Sequence, residues 1–317
     1  MTPNYISYES CIDLLSWEGS VAALRAGHLW PKADIADIFL GPQTATLLNR
    51  AAFIDGLGYG VKAVTVLGDN PAKGLPTVQG AMMVYAPDTG ALSAIIDSRL
   101  VTEIKTASDS TLGARLLARP DSKRLLIVGA GTVAESLIRA YSAIFPGLEH
   151  ISIWARRPEQ AQALLARMTG ITAKLSVAED LATAAASADI ISSATMARMP
   201  VLKGEWISPG THVDLIGAFK ADMREADDEL ISSGSLYVDS RETTLHHIGE
   251  LMIPLAAGII AEKDVKGDFY DLIASGTTAR KSDDEITVFK NGGGAHLDLM
   301  IADYISGAVA RKSSPKT

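Results

Sequence analysis

The sequence predicts an α/β protein that combines a doubly wound parallel sheet with a second, α+β domain. Two observations predict this fold class. A short apolar run over 125–128 stops at a glycine pair and continues into a helical pattern. Beyond it, apolar runs of strand length alternate with helical patterns, which is typical of a parallel sheet with helices on both faces. A ligand of such a sheet binds at the carboxyl ends of the strands.

Before Pro120 the pattern is that of an α+β domain. The elements expected there are a helix over 6–30, strands over 60–67, 80–85 and 92–97, and a helix over 101–118. The apolar stripe of the first helix is expected at Ile12, Leu15, Val21, Leu24 and Leu29. The segment Pro87–Gly90 fits a type I hairpin turn, and Pro120 with the two residues after it marks a domain boundary.

After Pro120 the alternating pattern begins. The strands expected in this part are 125–128, 151–154, 190–193, 213–216 and 236–239, with helices over 158–168 and 179–186. A final apolar helix over 295–310 is expected to pack back on the first domain. The predicted domains are therefore 1–120 completed by 295–317, and 121–294.

Composition excludes several classes of protein. The net charge of −8 argues against a nucleic-acid surface, which would usually be basic. One cysteine, Cys11, excludes an intramolecular disulfide and a cysteine metal cluster, and the adjacent His246 and His247 lack suitably spaced partners, so no metal is expected. We see neither a signal peptide nor an apolar stretch of about 18 residues, so we expect a cytoplasmic protein without a membrane span.

The glycine-rich segment over 128–134, VGAGTVA, predicts the phosphate-binding corner of a Rossmann dinucleotide fold. Gly129 permits the tight turn, Gly131 lets the pyrophosphate approach the backbone, and Ala134 allows helix and strand to pack closely. The amides that begin the helix then face the anion. The cofactor-binding residues expected here are Gly129, Ala130, Gly131, Thr132 and Val133. An ordinary strand-to-helix turn is the alternative interpretation.

The residues after the second strand bear on the choice of cofactor. An acidic residue there binds the ribose 2′-hydroxyl of NAD, whereas basic residues accommodate the 2′-phosphate of NADP. This chain has Arg156 and Arg157 and no acid at that point, which favours NADP(H). NAD(H) stays acceptable if one arginine only stacks on the adenine. Ser193, Ala194 and Thr195 follow a strand and are expected to line the nicotinamide-ribose side, unless they form a polar loop without a ligand.

Several separate motifs occur in an order that resembles the ornithine cyclodeaminase/mu-crystallin family. These motifs are GVK at 60–62, TxxKTA at 102–107, LARP at 117–120, VGAGTVA at 128–134, VxxxEWIxPG at 201–210, YVDS at 237–240, GEL at 249–251 and EITVFK at 285–290. The resemblance spans nearly the whole chain and is closest in character to the imine (ketimine) reductases of the family. It implies that the first domain binds substrate and forms a homodimer, and that the second is the Rossmann domain.

The resemblance also implies roles for individual residues. Lys62 matches the catalytic, carboxylate-binding lysine, and it interrupts an otherwise apolar strand. Arg50 and Lys105 are the further cations expected at the substrate carboxylate, with Gln79 as a hydrogen-bonding candidate. Asn291 lies in the segment near the nicotinamide, where a serine is usual. For each, the alternative is a solvated surface residue or, around Asn291, a glycine-rich hinge.

Two departures from the family pattern bear on the reaction. Phe219 stands where the cyclodeaminases have a catalytic aspartate, and a phenyl ring cannot accept a proton. Lys105 replaces the usual arginine, which keeps the charge but loses the bidentate fork. The expected function is NAD(P)H-dependent reduction of a small anionic 2-imino carboxylate, of the pyrroline-2-carboxylate or iminosuccinate type. The alternatives are an NAD-dependent cyclodeaminase and a non-catalytic NADP(H)-binding protein.

Overall fold

The computed structural model describes residues 3–42, 44–276 and 279–313. The chain forms two compact units, Met1–Ser108 with Gly294–Thr317, and Asp109–Gly293. The first division falls after Ser108, inside helix α3 (Ser98–Leu117), whereas the sequence placed it at the Pro120 break that follows this helix. The roles of the two units stay predictions.

The first unit contains a six-stranded mixed sheet. Its strands are β1 (Asn4–Ile6), β2 (Asp34–Leu40), β3 (Ala45–Ile54), β4 (Gly58–Leu67), β5 (Val78–Tyr85) and β6 (Leu92–Asp97), in the order β1-β6-β5-β4-β3-β2. Only the β1–β6 pair is parallel. Strands β4, β5 and β6 were predicted, whereas β1, β2 and β3 were not. The apolar side chains of β2 are mostly exposed and do not alternate with polar ones, so no strand pattern indicates it.

The helices of the first unit differ from the prediction near the N-terminus. In place of one helix over 6–30, the chain forms α1 (Tyr8–Cys11), a 3-10 turn at Ile12–Leu14 and α2 (Trp17–Gly27). The extended Ser16 separates them and caps α2, since its hydroxyl accepts a hydrogen bond from the amide of Gly19. The C-terminal helix α11 (Ala295–Ser313) packs against α2, β3 and β4.

The second unit contains an eight-stranded, wholly parallel sheet, which confirms the predicted α/β class. Its strands are β7 (Arg124–Val128), β8 (His150–Trp154), β9 (Lys174–Val177), β10 (Ile190–Ser193), β11 (His212–Leu215), β12 (Ser235–Val238), β13 (Val265–Gly267) and β14 (Thr287–Lys290). The helices of this unit are α4 (Thr132–Ile144), α5 (Pro158–Arg167), α6 (Leu181–Ala186), α7 (Asp228–Ser233), α8 (Arg241–Thr244), α9 (Gly249–Ala256) and α10 (Phe269–Ala274).

The strand order of this sheet creates a switch point. The order is β13-β12-β14-β11-β10-β7-β8-β9, so the chain runs outward from β7 in one direction to β9 and then returns to β10 on its other side. The carboxyl ends of β7 and β10 therefore meet at a crevice, which is where open α/β sheets bind their ligands. Among the described residues, none of the helices has the length and apolar character needed to span a bilayer.

Candidate active site

The glycine turn after β7 has the shape that a phosphate cradle needs. Gly129 adopts a φ of +122°, which side chains disfavour, and a Cβ there would lie 2.6 Å from the carbonyl oxygen of Ala194. Gly131 is the N-cap of α4, and a Cβ on it would meet no atom within 4 Å. The space beside the start of α4 is therefore open. Ala134, in the first turn of α4, is fully buried. These features fit a pyrophosphate bound at a helix N-terminus.

Arg156 and Arg157 lie just beyond the carboxyl end of β8, next to the glycine turn in the sheet order. Both side chains are exposed, and Arg157 is the N-cap of α5. Within residues 3–42, 44–276 and 279–313, neither arginine is in an ion pair. Their guanidinium groups can therefore turn toward an anion at this end of the crevice.

Ser193, Ala194 and Thr195 follow β10 on the other side of the switch point. Their position depends on a residue that the sequence did not single out, the buried Glu225. Its carboxylate accepts hydrogen bonds from the Ser193 hydroxyl (2.7 Å) and from the amide (2.7 Å) and hydroxyl (2.8 Å) of Thr195. Nothing in the sequence around Glu225 signals this contact.

A second buried carboxylate of this unit is that of Asp214, in β11. It accepts hydrogen bonds from the hydroxyls of Ser110 (3.2 Å), Ser192 (2.6 Å) and Tyr141 (3.1 Å). Burial raises the pKa of Asp214 to about 7 although these hydroxyls oppose the change. Asn291 joins the same network, since its side-chain amide donates to the Ser110 hydroxyl over 2.9 Å. Asn291 is therefore buried in the second unit, where its amide helps to orient polar side chains of the sheet.

Lys290, at the end of β14, is a fully buried cation in the same unit. Its ammonium donates to the carbonyl oxygens of Leu215 and Asn291, each over 2.8 Å. Burial lowers the pKa of Lys290, and the carboxylates of Glu250 and Glu225 raise it. Burial also raises the pKa of Glu250 to about 7. A buried network of opposite charges thus lies at the carboxyl edge of the sheet.

The first unit brings the three predicted cations together. Arg50 of β3 stands directly opposite Lys62 of β4 in the strand register, so the two side chains are cross-strand neighbours. Burial lowers the pKa of Lys62, and the positive charges of Lys105 and Arg50 lower it further. Lys62 and Lys105 are both buried. The role of these three cations in substrate binding stays a prediction.

Lys62 and Arg50 each form an ion pair with a carboxylate of the first unit. The Lys62 ammonium lies 2.7 Å from both carboxylate oxygens of the fully buried Asp298, in the first turn of α11. Asp298 raises the pKa of Lys62 against the effect of burial. Arg50 donates to Asp37 of β2 through Nε (3.0 Å) and Nη2 (2.8 Å), which fixes the plane of its guanidinium.

Gln79 lies apart from this cluster, and its expected role in substrate binding stays a prediction. It is exposed, and it pairs with Thr65 in the sheet, whereas Lys62 pairs with Met82. Side chains alternate between the faces of a strand, so Gln79 and Met82 point to opposite faces of β5. Gln79 directly precedes Gly80 in the sequence, but neighbouring positions in a sequence do not show which face of a strand a side chain occupies.

The first unit also contains two buried histidines, His28 and His296, which were not predicted as site residues. The rings of His28 and His296 are 5.7 Å apart and nearly perpendicular, and His28 Nδ1 lies 2.7 Å from the carbonyl oxygen of Leu24. Burial lowers the pKa of His28 to about 4 and that of His296 well below its usual range. Both rings are therefore neutral near pH 7. His296 could have been noticed, because it lies two residues before Asp298.

The loop after β11 bears on the type of reaction. Phe219 is 50% exposed, and the ammonium of Lys220 lies 5.5 Å from its ring centre. Asp222, the next carboxylate along the chain, forms an ion pair with Arg198 over 2.8 Å and is itself exposed. An aromatic side chain, Phe219, thus stands at the position of the cyclodeaminase aspartate. The carboxylate of Asp222 is already paired with Arg198 of the same unit.

The pattern of the ornithine cyclodeaminase/mu-crystallin family matches residues 52–313 of this chain. This chain belongs to that family. A Δ(1)-pyrroline-2-carboxylate reductase of Paracoccus denitrificans (strain Pd 1222) is 62% identical over 97% of this chain and 98% of its own length.

Two solved structures of the family have the same fold. The Δ(1)-pyrroline-2-carboxylate reductase of Thermococcus litoralis, in complex with NADH and L-proline, is 27% identical with a TM-score of 0.91, covering 99% of each chain. An archaeal alanine dehydrogenase dimer with bound NAD is also 27% identical, with a TM-score of 0.90 over 100% of this chain and 98% of its own.

Proposed function

We propose that this protein reduces a cyclic 2-imino carboxylate of the Δ1-pyrroline-2-carboxylate type to the L-amino acid, with a reduced nicotinamide dinucleotide as the hydride donor. The observation that carries the proposal is the buried Lys62–Asp298 pair next to two further cations. The high identity to a pyrroline-2-carboxylate reductase along nearly the whole chain supports the substrate class.

The residues of the first unit supply binding and a proton. Arg50 and Lys105 hold the substrate carboxylate by charge, and the orientation of Arg50 is set in advance by Asp37. Lys62 donates a proton to the imine nitrogen, which makes the C=N carbon a better electrophile. Asp298 favours the ammonium form of Lys62, because it raises the pKa that burial and the neighbouring cations lower. A bound reduced nicotinamide would supply the hydride to that carbon, so hydride and proton together convert C=N to CH–NH.

The residues of the second unit would hold the cofactor. The open space at Gly131 and the start of α4 fit the pyrophosphate, and Ser193–Thr195 fit the nicotinamide-ribose side. Similar structures hold NADH and NAD, which supports NAD(H) as a cofactor here. We further propose that NADP(H) is preferred, because Arg156 and Arg157 are exposed and can bind a 2′-phosphate.

The proposed preference for NADP(H) has a direct test. In Arg156→Ala and Arg157→Ala variants, kcat/KM with NADPH should fall at least tenfold, while kcat/KM with NADH should stay within about twofold. An exposed arginine elsewhere in the same unit, replaced in Arg167→Ala, is the matched control. Equal loss with both cofactors would show that the arginines contact the part that NADPH and NADH share.

The protein is proposed to act as a homodimer through the edge of the first sheet. Strand β2 is an outer strand of that sheet, and Ile38, Phe39 and Leu40 are 54%, 66% and 54% exposed. Adjacent exposed apolar side chains on an unpaired edge are typical of an association surface. The dimeric alanine dehydrogenase of the same fold supports a second copy of this chain as the partner. Light scattering should give twice the chain mass, and Phe39→Lys should shift it toward the monomer.

A panel of imines tests the reaction itself. Cofactor oxidation should be fastest with Δ1-pyrroline-2-carboxylate and slower with iminosuccinate, formed from oxaloacetate and ammonia, or with imines of pyruvate. Ammonia release from ornithine without added reductant would instead indicate a cyclodeaminase, which the aromatic side chain at Phe219 disfavours. Tight cofactor binding without oxidation by any of these imines would indicate a non-catalytic binding protein.

A further inference from the structure

The buried carboxylate of Glu225 lies where the loops after β10 and β11 come together. We propose that Glu225 is the positioning residue of the nicotinamide half of the cofactor site. It would act through the Ser193–Thr195 loop and would leave the adenosine half unaffected. The proposal rests on the proposed function, since it assumes that a dinucleotide binds across the switch point of the second sheet.

The two carboxylate oxygens of Glu225 reach two different loops. One oxygen accepts from the hydroxyl of Ser193 and from the amide and hydroxyl of Thr195, at 2.7 to 2.8 Å. The other oxygen accepts from the amide of Gly217, after β11, at 2.5 Å. Neighbouring parallel strands are thus joined at their carboxyl ends by one side chain, at the edge where the ligand is expected.

The loop that Glu225 holds is packed closely against backbone on both sides. A Cβ on Gly129 would lie 2.6 Å from the carbonyl oxygen of Ala194, and a Cβ on Gly217 would lie 1.9 Å from that of Thr195. The Ala194–Thr195 segment therefore lies between two glycines and touches the glycine turn directly. Backbone on both sides therefore confines this segment, so a change at Glu225 should alter the orientation of the Thr195 amide and hydroxyl rather than the position of the glycine turn.

Glu225 is itself held rigidly. Its amide donates to Glu250 over 2.8 Å, and its carbonyl oxygen accepts from the amides of Val201 (2.8 Å) and Leu202 (2.9 Å). Each carboxylate oxygen faces a backbone N–H, which can only donate. The ionised form, which can accept at both oxygens, therefore matches the site, and the nearby cation Lys290 favours it against the effect of burial.

The position of the loop explains why only half of the cofactor should respond. The adenosine side is expected over β7 and β8, where Arg156 and Arg157 lie, and the nicotinamide side over β10 and β11. The Glu225 carboxylate accepts hydrogen bonds from Ser193 at the end of β10, from Thr195 after it and from Gly217 after β11. ADP-ribose contains the adenosine, the pyrophosphate and the second ribose, but it lacks the nicotinamide ring. Its affinity should therefore not depend on how the surroundings of that ring are held.

The test compares NADH with ADP-ribose in direct binding measurements. In Glu225→Gln, one acceptor oxygen becomes an amide that opposes an N–H donor, so NADH should bind at least tenfold more weakly, with ADP-ribose within about twofold of wild type. Glu229→Gln, the same change at an exposed position of α7, is the matched control and should alter neither affinity. Titration calorimetry gives both dissociation constants without catalysis.

Each outcome decides the proposal. Unchanged NADH affinity in Glu225→Gln would overturn the proposal, because Glu225 would then have no role in binding the nicotinamide half. An equal loss of affinity for NADH and ADP-ribose would also overturn it, because it would indicate general structural damage. If Glu225→Gln does not fold, Thr195→Ala decides in its place. It removes one donor to the carboxylate, and NADH alone should then bind about threefold more weakly. Wild-type protein that binds none of NADH, NADPH and ADP-ribose would overturn the proposed function itself, which is a distinguishable result.

Discussion

Replacing Asp298 by asparagine removes the negative charge beside Lys62 and leaves the side chain's shape nearly unchanged. The ammonium of Lys62 lies 2.7 Å from both oxygens of this carboxylate, and both residues are buried. Burial, Lys105 and Arg50 all lower the pKa of Lys62, whereas the Asp298 carboxylate raises it. The pKa of Lys62 in Asp298→Asn should therefore fall further below its usual range.

The size of this change follows from the distance between the charges. Two unit charges about 4 Å apart attract by about 4 kcal/mol at an effective dielectric constant of about 20. Losing this attraction disfavours the ammonium form, so the pKa of Lys62 should fall further below its usual range. If protonated Lys62 is the proton donor, activity is lost as pH rises through this pKa. The alkaline limb of the pH profile should therefore move toward acid.

The assay is the pH dependence of kcat/KM for the reduction of Δ1-pyrroline-2-carboxylate, from about pH 5 to pH 10. Asp303→Asn, the same change at an exposed position of α11, is the control and should leave the profile in place. Because removing one partner of a buried pair costs about 3–5 kcal/mol of stability, circular dichroism should establish that the variant is folded at each pH. A folded Asp298→Asn enzyme with an unmoved alkaline limb would refute the assignment of Lys62 as proton donor.

Three further predictions concern particular residues. Gly131→Val should leave the melting temperature within about 2 °C, because a Cβ meets no atom within 4 Å, yet calorimetry should show NADH binding weakened at least tenfold. Gly217→Ala should instead lower the melting temperature strongly, since its Cβ would lie 1.9 Å from a carbonyl oxygen. A normal melting temperature for that variant would contradict the packing described. Burial raises the pKa of Asp214 from 3.8 to about 7, so its contribution favours the folded state below about pH 4 and is lost as pH rises to about 7. Asp214→Asn should remove up to about 4 kcal/mol of this pH dependence in denaturant unfolding, and an unchanged slope between pH 4 and 7 would argue against it.

Some features of this protein are decided by short stretches of sequence. The glycine turn over 128–134 depends on backbone angles and on spacing within a few residues, so it could be predicted from the letters alone. The alternation of strands and helices after Pro120 is a local pattern of the same kind, and it was sufficient for the α/β class. The aromatic residue at Phe219 could likewise be read directly against the family pattern.

Other features depend on residues that are distant in sequence. Lys62 and Asp298 are separated by 236 positions, and Glu225 lies 30 positions from Thr195. No local pattern encodes which carboxylate meets which cation, because such pairs form only when the sheet and its helices are packed. The strand register likewise placed Arg50 opposite Lys62 and kept Gln79 on the other face. The sequence by itself determined the cradle and the presence of three cations, whereas the tertiary structure decided the partners that set their charge and hold the loops in place.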